Sequence, residues 1–452
     1  METTVDHARL GELMGRELER FEQGHPRSRE LFERSKANLL AGVPMPWMTE
    51  WAGSFPVFVA EAQGARFTDV DGREYVDLCL GDTGGMTGHS PKESVAAIAE
   101  QAAKGITLML PTEDSIWVGA EMERRFGLPY WQFALTATDA NRFTLRLARQ
   151  ISGRPKVLVF SWCYHGSVDE SIIVLQDGKP TRRPGNVGPA VDPTETTRVV
   201  EFNDLEALER ELAYEDVACV LAEPALTNIG IVLPDPGYHD ALRELTRRYG
   251  TYLVIDETHT ICAGPGGATK AWGLEPDFVT IGKPLAAGVP AACYGMSAEV
   301  APRIDAYMQT IPATDVGGVG GTLSGNALSL AAMRATLEHV LTDDAFERMI
   351  ELGARWTDGV QAAIDAHGLP WTVQRLGCRA EYWFCPEPPR NGGEAAELDD
   401  HELAKFTHLY ALNRGILLTP FHNMALMSPA TTEEDVDAHS RVFDEMAAEL
   451  VA

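Results

Sequence analysis

Lys283 stands directly after the apolar run FVTIG, and three further apolar runs end on or beside a reactive polar residue. VLVFSW leads into Tyr164-His165-Gly166, ACVLAEP contains Glu223, and YLVIDE closes on Asp256-Glu257. Short, β-branched apolar runs of this kind read as buried strands. In open α/β sheets, ligands sit beyond the carboxyl ends of the strands. A buried strand that delivers a carboxylate or an ammonium to its tip needs a partner for it, because unpaired buried charge is costly. The shared feature of these tips implies one polar, ligand-filled cleft. Taken singly, each residue also has a structural reading. Lys283 reads as a solvated lysine after a strand, Asp256 as a cap for the following helix or loop, Glu223 as an arginine's ion-pair partner, and His165 as a satisfied core histidine. The combination points to chemistry.

The elements that must position these tips alternate between strand and helix. GYHDALRELTRRYG, between the second and third runs, reads as a helix ending at Gly250, and the alternation implies a mainly parallel α/β sheet. Beyond about Asn326 the pattern changes to long helices with a few strands, among them RAEYWFCP and GILLTP, and a last helix over EEDVDAHSRVFDEMAAEL. Ahead of the α/β region, about Asp6 to Leu40 reads as one amphipathic helix with Leu10, Leu13, Leu18 and Phe21 at helical spacing. DVDG between apolar runs is a hairpin signal, and EPPRNGGEAAELDD reads as a surface loop.

The chain of 452 residues carries a net charge of −28, which repels nucleic-acid phosphates and anionic lipid and excludes both as partners. Its seven cysteines are scattered singly, without the pairs of a disulfide framework or zinc site. No apolar stretch reaches the roughly eighteen residues of a membrane span, and no signal region precedes the first helix, so a reduced, cytoplasmic protein is expected. Neither G-x-G-x-x-G after a strand nor G-x-x-x-x-G-K-[ST] occurs, and no H-E-x-x-H motif implies a metal.

The segments TATDANRFTLRLAR, YHGS, EPALTNIG, VIDETHT, IGKPLAAGVP, GTLSGNALSLAA and RGILLTPFHNMALMSPATTEEDVD, in this order from about residue 37 onward, resemble the class III aminotransferases and, among them, the glutamate-1-semialdehyde aminomutase-like branch. The resemblance implies the PLP-dependent transferase fold type I: a large α/β domain with a mainly parallel seven-stranded sheet, plus a smaller α+β domain. The expected division is residues 1–65 as N-terminal arm and part of the small domain, 66–325 as the large cofactor domain, and 326–452 as the C-terminal small domain. It also implies pyridoxal 5′-phosphate held as a Schiff base on Lys283, which then moves the proton. Asp256 would pair with the pyridine nitrogen. Tyr164 and Thr258 would cover the two ring faces, with His165 beside Tyr164. Glu223, Asn228 and His259 would lie near the ring hydroxyl. The phosphate would sit at Thr136-Ala137-Thr138, at a helix N-terminus, and Thr322 would come from the second subunit of a homodimer.

The departures bear on substrate. His259 stands where Met or Gln is usual, and Ala137 where Gly is usual. Met48, or else Trp47, occupies a segment that often carries an arginine, and Met424 stands where the semialdehyde enzyme has Glu. Both of the latter changes replace charge with apolar surface and leave the usual carboxylate clamp empty. Arg379 is a candidate for a different clamp; its structural alternative is a salt bridge between domains. The reading that follows is an aminotransferase moving an amino group from an amine or amino acid with a hydrophobic or aromatic group to a keto acid or ketone. An aminomutase, racemase or epimerase on the same scaffold is the alternative.

Overall fold

The structure, a computed structural model, describes residues 6–312 and 318–452. The chain forms two compact units, one from Lys92–Phe346 with Pro389–Glu397, the other from residues up to Pro91 with Glu347–Pro388 and Leu398–Ala452. The division therefore differs from the expected 66–325 at both edges. The reason is a long-range pairing: Ile416–Leu417 lies parallel to Glu74–Asp77 and completes a sheet with Val59–Gln63 and Arg66–Asp69. This pairing ties the early hairpin to the C-terminal segment.

The larger unit is built on strands β1 (Tyr130–Ala134), β2 (Lys156–Phe160), β3 (Thr197–Val200), β4 (Val217–Ala222), β5 (Tyr252–Asp256), β6 (Phe278–Ile281) and β7 (Ala292–Met296). Their order is β1-β7-β6-β5-β4-β2-β3. β3, β2, β4, β5 and β6 run parallel, and β7 runs antiparallel to both neighbours. Every residue of β4, β5 and β6 is buried, which is why these runs are continuously apolar instead of alternating. Helix α1 (Ala137–Ser152) follows β1, and α2 (Tyr238–Arg248) joins β4 to β5. The NGGEAAE stretch, expected as part of a surface loop, holds a short helix, Gly392–Glu397, belonging to this unit. A Cβ on Gly392 would stand 2.2 Å from the Ser161 carbonyl oxygen, so only glycine lets the segment lie there.

In the smaller unit the expected single N-terminal helix is two, His7–Gly24 and Pro26–Ser35. Pro26 lacks an N–H and pushes the residue before it out of the helical region; His25 accordingly sits at φ −129°, ψ 50°. Phe21 packs with Phe55, Phe67 and Tyr75 in the core. The DVDG turn is a hairpin as expected, with Asp69 Oδ1 accepting the Asp71 and Arg73 amides at 2.9 and 2.8 Å. A second sheet pairs Arg379–Trp383 with Thr372–Leu376 and Met424–Leu426.

The tentative substrate residues all belong to this unit. Trp47 is exposed and meets Phe421 edge-on at 5.7 Å. Met48 is half-buried beside it, and both line a 330 Å³ apolar groove with Leu39, Val43, Trp51 and Phe55. Met424 is fully buried opposite Glu381. Arg379 is fully buried, 3.7 Å from Asp82. Both partners of that ion pair lie in the same unit.

Candidate active site

β2, β4, β5 and β6 end on the same edge of the sheet, because all four run parallel, and each releases one of the expected residues there. At the tip of β5, Asp256 is 4% exposed. Its Oδ2 accepts from Asn141 Nδ2 at 2.8 Å and pairs with His165 Nδ1 at 2.9 Å, while Oδ1 accepts the Thr258 amide at 3.1 Å. Burial alone would raise this carboxyl's pKa, but the His165 hydrogen bond and charge, with Thr258 and Asn141, outweigh it and hold Asp256 below the usual carboxylate range. Burial works against a charged His165 as well; neighbouring Cys163 and bonded Asp256 reverse it and hold His165 well above the ordinary imidazole value. The two form an ion pair inside the protein.

Asn141 escaped the sequence reading, as did Thr280. Asn141 lies in the first turns of α1, fully buried, and spends its amide on Asp256 and on the His165 carbonyl (3.2 Å). Its carbonyl accepts from Thr280 Oγ1 at 2.6 Å. The available signal was an Asn on the inward face of a helix of otherwise good formers, where its propensity is poor. That pattern marks a side chain kept for its hydrogen bonds.

Glu223, just past β4, is buried and accepts the Tyr164 amide at 3.1 Å, the Thr227 amide at 3.1 Å and the Thr227 hydroxyl. Its partners are thus amides and a hydroxyl, not an arginine. Burial pushes its pKa up against the pull of His165, Thr227 and the Tyr164 amide. Asn228 is half-buried in the turn after Thr227, whose ends are joined by the Leu226–Val232 bridge. Tyr164 leaves 42% of its surface exposed at the strand-end edge. Thr258 is buried next to Asp256.

Lys283 begins the short turn after β6 at φ 42°, a region few side chains occupy without glycine's freedom. Gly282 before it approaches α1 closely: a Cβ there would lie 3.1 Å from the Ala137 amide nitrogen. Lys283 Nζ meets His259 Nε2 at 2.5 Å.

The helix end expected to take a phosphate is intact. Thr136 is the N-cap of α1, accepting the Asp139 amide at 3.1 Å and donating to Asp139 Oδ2 at 2.9 Å. The Thr/Asp cap and the anion site therefore coexist. Capping takes one first-turn amide and leaves those of Ala137 and Thr138, which no intrahelical carbonyl can reach. Thr138 Oγ1 accepts the Ser167 amide at 3.2 Å, binding the YHGS loop to the helix end with its own proton still to donate. Gly166 makes the approach possible: its φ is 77°, and a Cβ would come 1.9 Å from Thr138 Oγ1. Thr322 lies apart from these residues in the sequence, exposed in the turn preceding the Ala327–His339 helix.

A strand-tip amine, a buried carboxylate kept ionised, a flanking exposed aromatic ring and a helix N-terminus with unclaimed amides fit pyridoxal phosphate group by group. The profile described as Aminotransferase class-III matches residues 47–446, and the chain belongs to that family. It is a pyridoxal-phosphate-dependent enzyme with the type I transferase fold. Among its relatives, a protein of Sorangium cellulosum named glutamate-1-semialdehyde 2,1-aminomutase is 34% identical over 420 residues, covering 91% of this chain and 94% of the relative. A crystal structure of a glutamate-1-semialdehyde aminomutase from Pseudomonas aeruginosa superimposes with a TM-score of 0.97 at 53% identity, over 99% of each chain. A lysine-to-alanine form of a Pseudomonas aeruginosa aminomutase, described in complex with PMP, superimposes equally well, at 52% identity over 99% of each chain. An omega-transaminase from Sphaerobacter thermophilus matches with a TM-score of 0.85 at 26% identity, over 94% of this chain and 98% of the other.

Proposed function

We propose that this chain is an aminomutase, moving an amino group between neighbouring carbons of one small substrate, with Lys283 as the residue that carries the cofactor and transfers the proton. The observation that carries this reading is the 53% identity, over 99% of both chains, with the Pseudomonas aeruginosa aminomutase. It favours the aminomutase over transfer between two substrates, the first reading of the sequence.

The side chains divide the work. Bound at this site, the cofactor supplies an electron sink for the carbon that bears the amino group. Asp256, kept anionic by His165 and Asn141, presents its charge to the ring nitrogen. Tyr164 and Thr258 would cover the two faces of the ring, and Glu223, Asn228 and His259 would supply polar groups near its hydroxyl. The Ala137 and Thr138 amides and the Thr138 hydroxyl hold the phosphate at the positive end of α1. Lys283 Nζ would take and return the substrate proton as general acid and base. Thr322 from a second copy of the chain completes the phosphate site, so the working form is a homodimer.

The apolar side chains Met48 and Met424, standing where charge is usual in this branch, favour a second reading, transfer from an amine with a bulky apolar group to a keto acid. The two separate on one experiment. Purified protein is given glutamate-1-semialdehyde with no keto acid or other amine. The proposal expects the isomer with its amino group on the neighbouring carbon. Absence of that isomer, with amino transfer to an added keto acid from a hydrophobic amine, would replace the proposal by the second reading.

A further inference from the structure

We propose that His259 is the proton partner of Lys283: its imidazole takes the proton the lysine must lose before the amine can bond to an aldehyde carbon, and later gives it back. The inference rests on the reading above that Lys283 carries the cofactor.

The contact follows from sheet register. β5 and β6 are parallel with Asp256 opposite Thr280, so His259 and Lys283 each stand three residues beyond a paired position. The Glu257 amide continues the pairing by donating to the Thr280 carbonyl at 2.8 Å. The two loops therefore leave the sheet side by side, and Nε2 meets Nζ at 2.5 Å with His259 only 7% exposed. Asp256 is held by His165 and Asn141; Glu257 by the Thr260 hydroxyl and the Ala268 and Thr269 amides; Glu223 by Tyr164 and Thr227. At that separation one nitrogen donates to the lone pair of the other, which is the arrangement a proton transfer between them requires. Histidine is the side chain whose ordinary titration falls near neutrality. A Met or Gln at this position would offer Lys283 no such exchange.

The step balances. A Nζ–H bond of the ammonium breaks, its electron pair stays on Nζ, and the proton bonds to His259 Nε2. The freed amine bonds to the aldehyde carbon, its two remaining hydrogens depart with the aldehyde oxygen as water, and the proton on His259 returns to the newly bonded nitrogen.

The test uses protein stripped of cofactor and mixed with pyridoxal phosphate. The visible band reports attachment, and borohydride reduction with peptide mass mapping identifies the lysine. His259→Gln should slow attachment roughly a hundredfold near neutral pH, the size of a lost general base. Added imidazole should restore the rate in His259→Ala. If the alanine form does not fold, His259→Gln and His259→Asn, which keep a polar side chain, carry the comparison. Attachment to Lys283 within about twofold of the unsubstituted rate across pH, with no response to imidazole, overturns the role of His259 alone. A label on another lysine overturns the assignment of Lys283, and this inference with it.

Discussion

Replacing Asn141 with leucine isolates what holds the Asp256 carboxylate. The side chain donates to Asp256 Oδ2 and to the His165 carbonyl and accepts from Thr280 Oγ1, all buried. Leucine keeps the branched skeleton, though with bulkier methyls that add some overpacking; the charged acceptor loses one of its three donors and the Thr280 hydroxyl loses its acceptor. A hydrogen bond to a charged group contributes about 1.5–3 kcal/mol, and an orphaned buried hydroxyl costs about 1–3 kcal/mol. The expected loss is therefore about 3–5 kcal/mol, a fall in Tm of roughly 10 °C for a unit of this size. Thr280→Val, which removes only the neutral bond, should cost about 1 kcal/mol. Thermal unfolding of the cofactor-free protein measures the stability, and loss of the visible band on dilution measures cofactor retention. Asn141→Leu should fail on both counts, well beyond Thr280→Val. Equal stability and retention in the two variants would refute the claim that Asn141 acts through Asp256.

Two further outcomes follow from the geometry. Gly166→Ala places a methyl in the left-handed region and against Thr138 Oγ1. The backbone cost is about 1–2 kcal/mol, and the displaced helix end should weaken pyridoxal phosphate binding at least tenfold in an absorbance titration; undiminished binding would show that the YHGS loop does not shape the phosphate site. The smaller unit should be acid-sensitive. Burial, with the charge of His422, holds His408 at about 4, and burial holds His439 at about 3. Both are neutral when folded and titrate near 6.5 when unfolded, so the unfolded chain binds more protons as pH falls. Stability is full above that value and declines between pH 6 and 4 by about 1.4 kcal/mol per unit per histidine. Denaturant midpoints at several pH values should show the slope, and His439→Leu should halve it; a flat profile would contradict it.

The sequence made the active-site edge legible because its strands are buried on both faces. VLVF, ACVLA, YLVID and FVTI had to be continuously apolar, and the polar residue ending each had to sit at the sheet's carboxyl edge. What it concealed depended on distance. The pairing of Ile416–Leu417 with Glu74–Asp77 joins segments far apart in the chain, and no local pattern marks it, so the unit boundaries shifted. The break at His25 was legible in Pro26, which the helical spacing of Leu10, Leu13 and Phe21 outweighed. Asn141 carries no local signal of its partner, because only the fold brings it against Asp256. His259 stood out as a departure from the family, but its contact with Lys283 follows from the β5–β6 register. Arg379 read as either a carboxylate clamp or a structural ion pair; its burial 3.7 Å from Asp82 follows from its place in the second sheet, which no local pattern marks.

The central claim is that Lys283 carries the cofactor covalently. The direct measurement is the visible spectrum of the protein with pyridoxal phosphate, followed by borohydride reduction and peptide mapping, for the unsubstituted chain and for Lys283→Ala. The account predicts a Schiff-base band shifted from that of the free aldehyde and a label on the peptide containing Lys283; the alanine variant, which should still bind the cofactor reversibly through Asp256 and the α1 terminus, should show only the free aldehyde's absorption and no label. A Schiff-base band that survives in Lys283→Ala, or a label on another lysine, would contradict it.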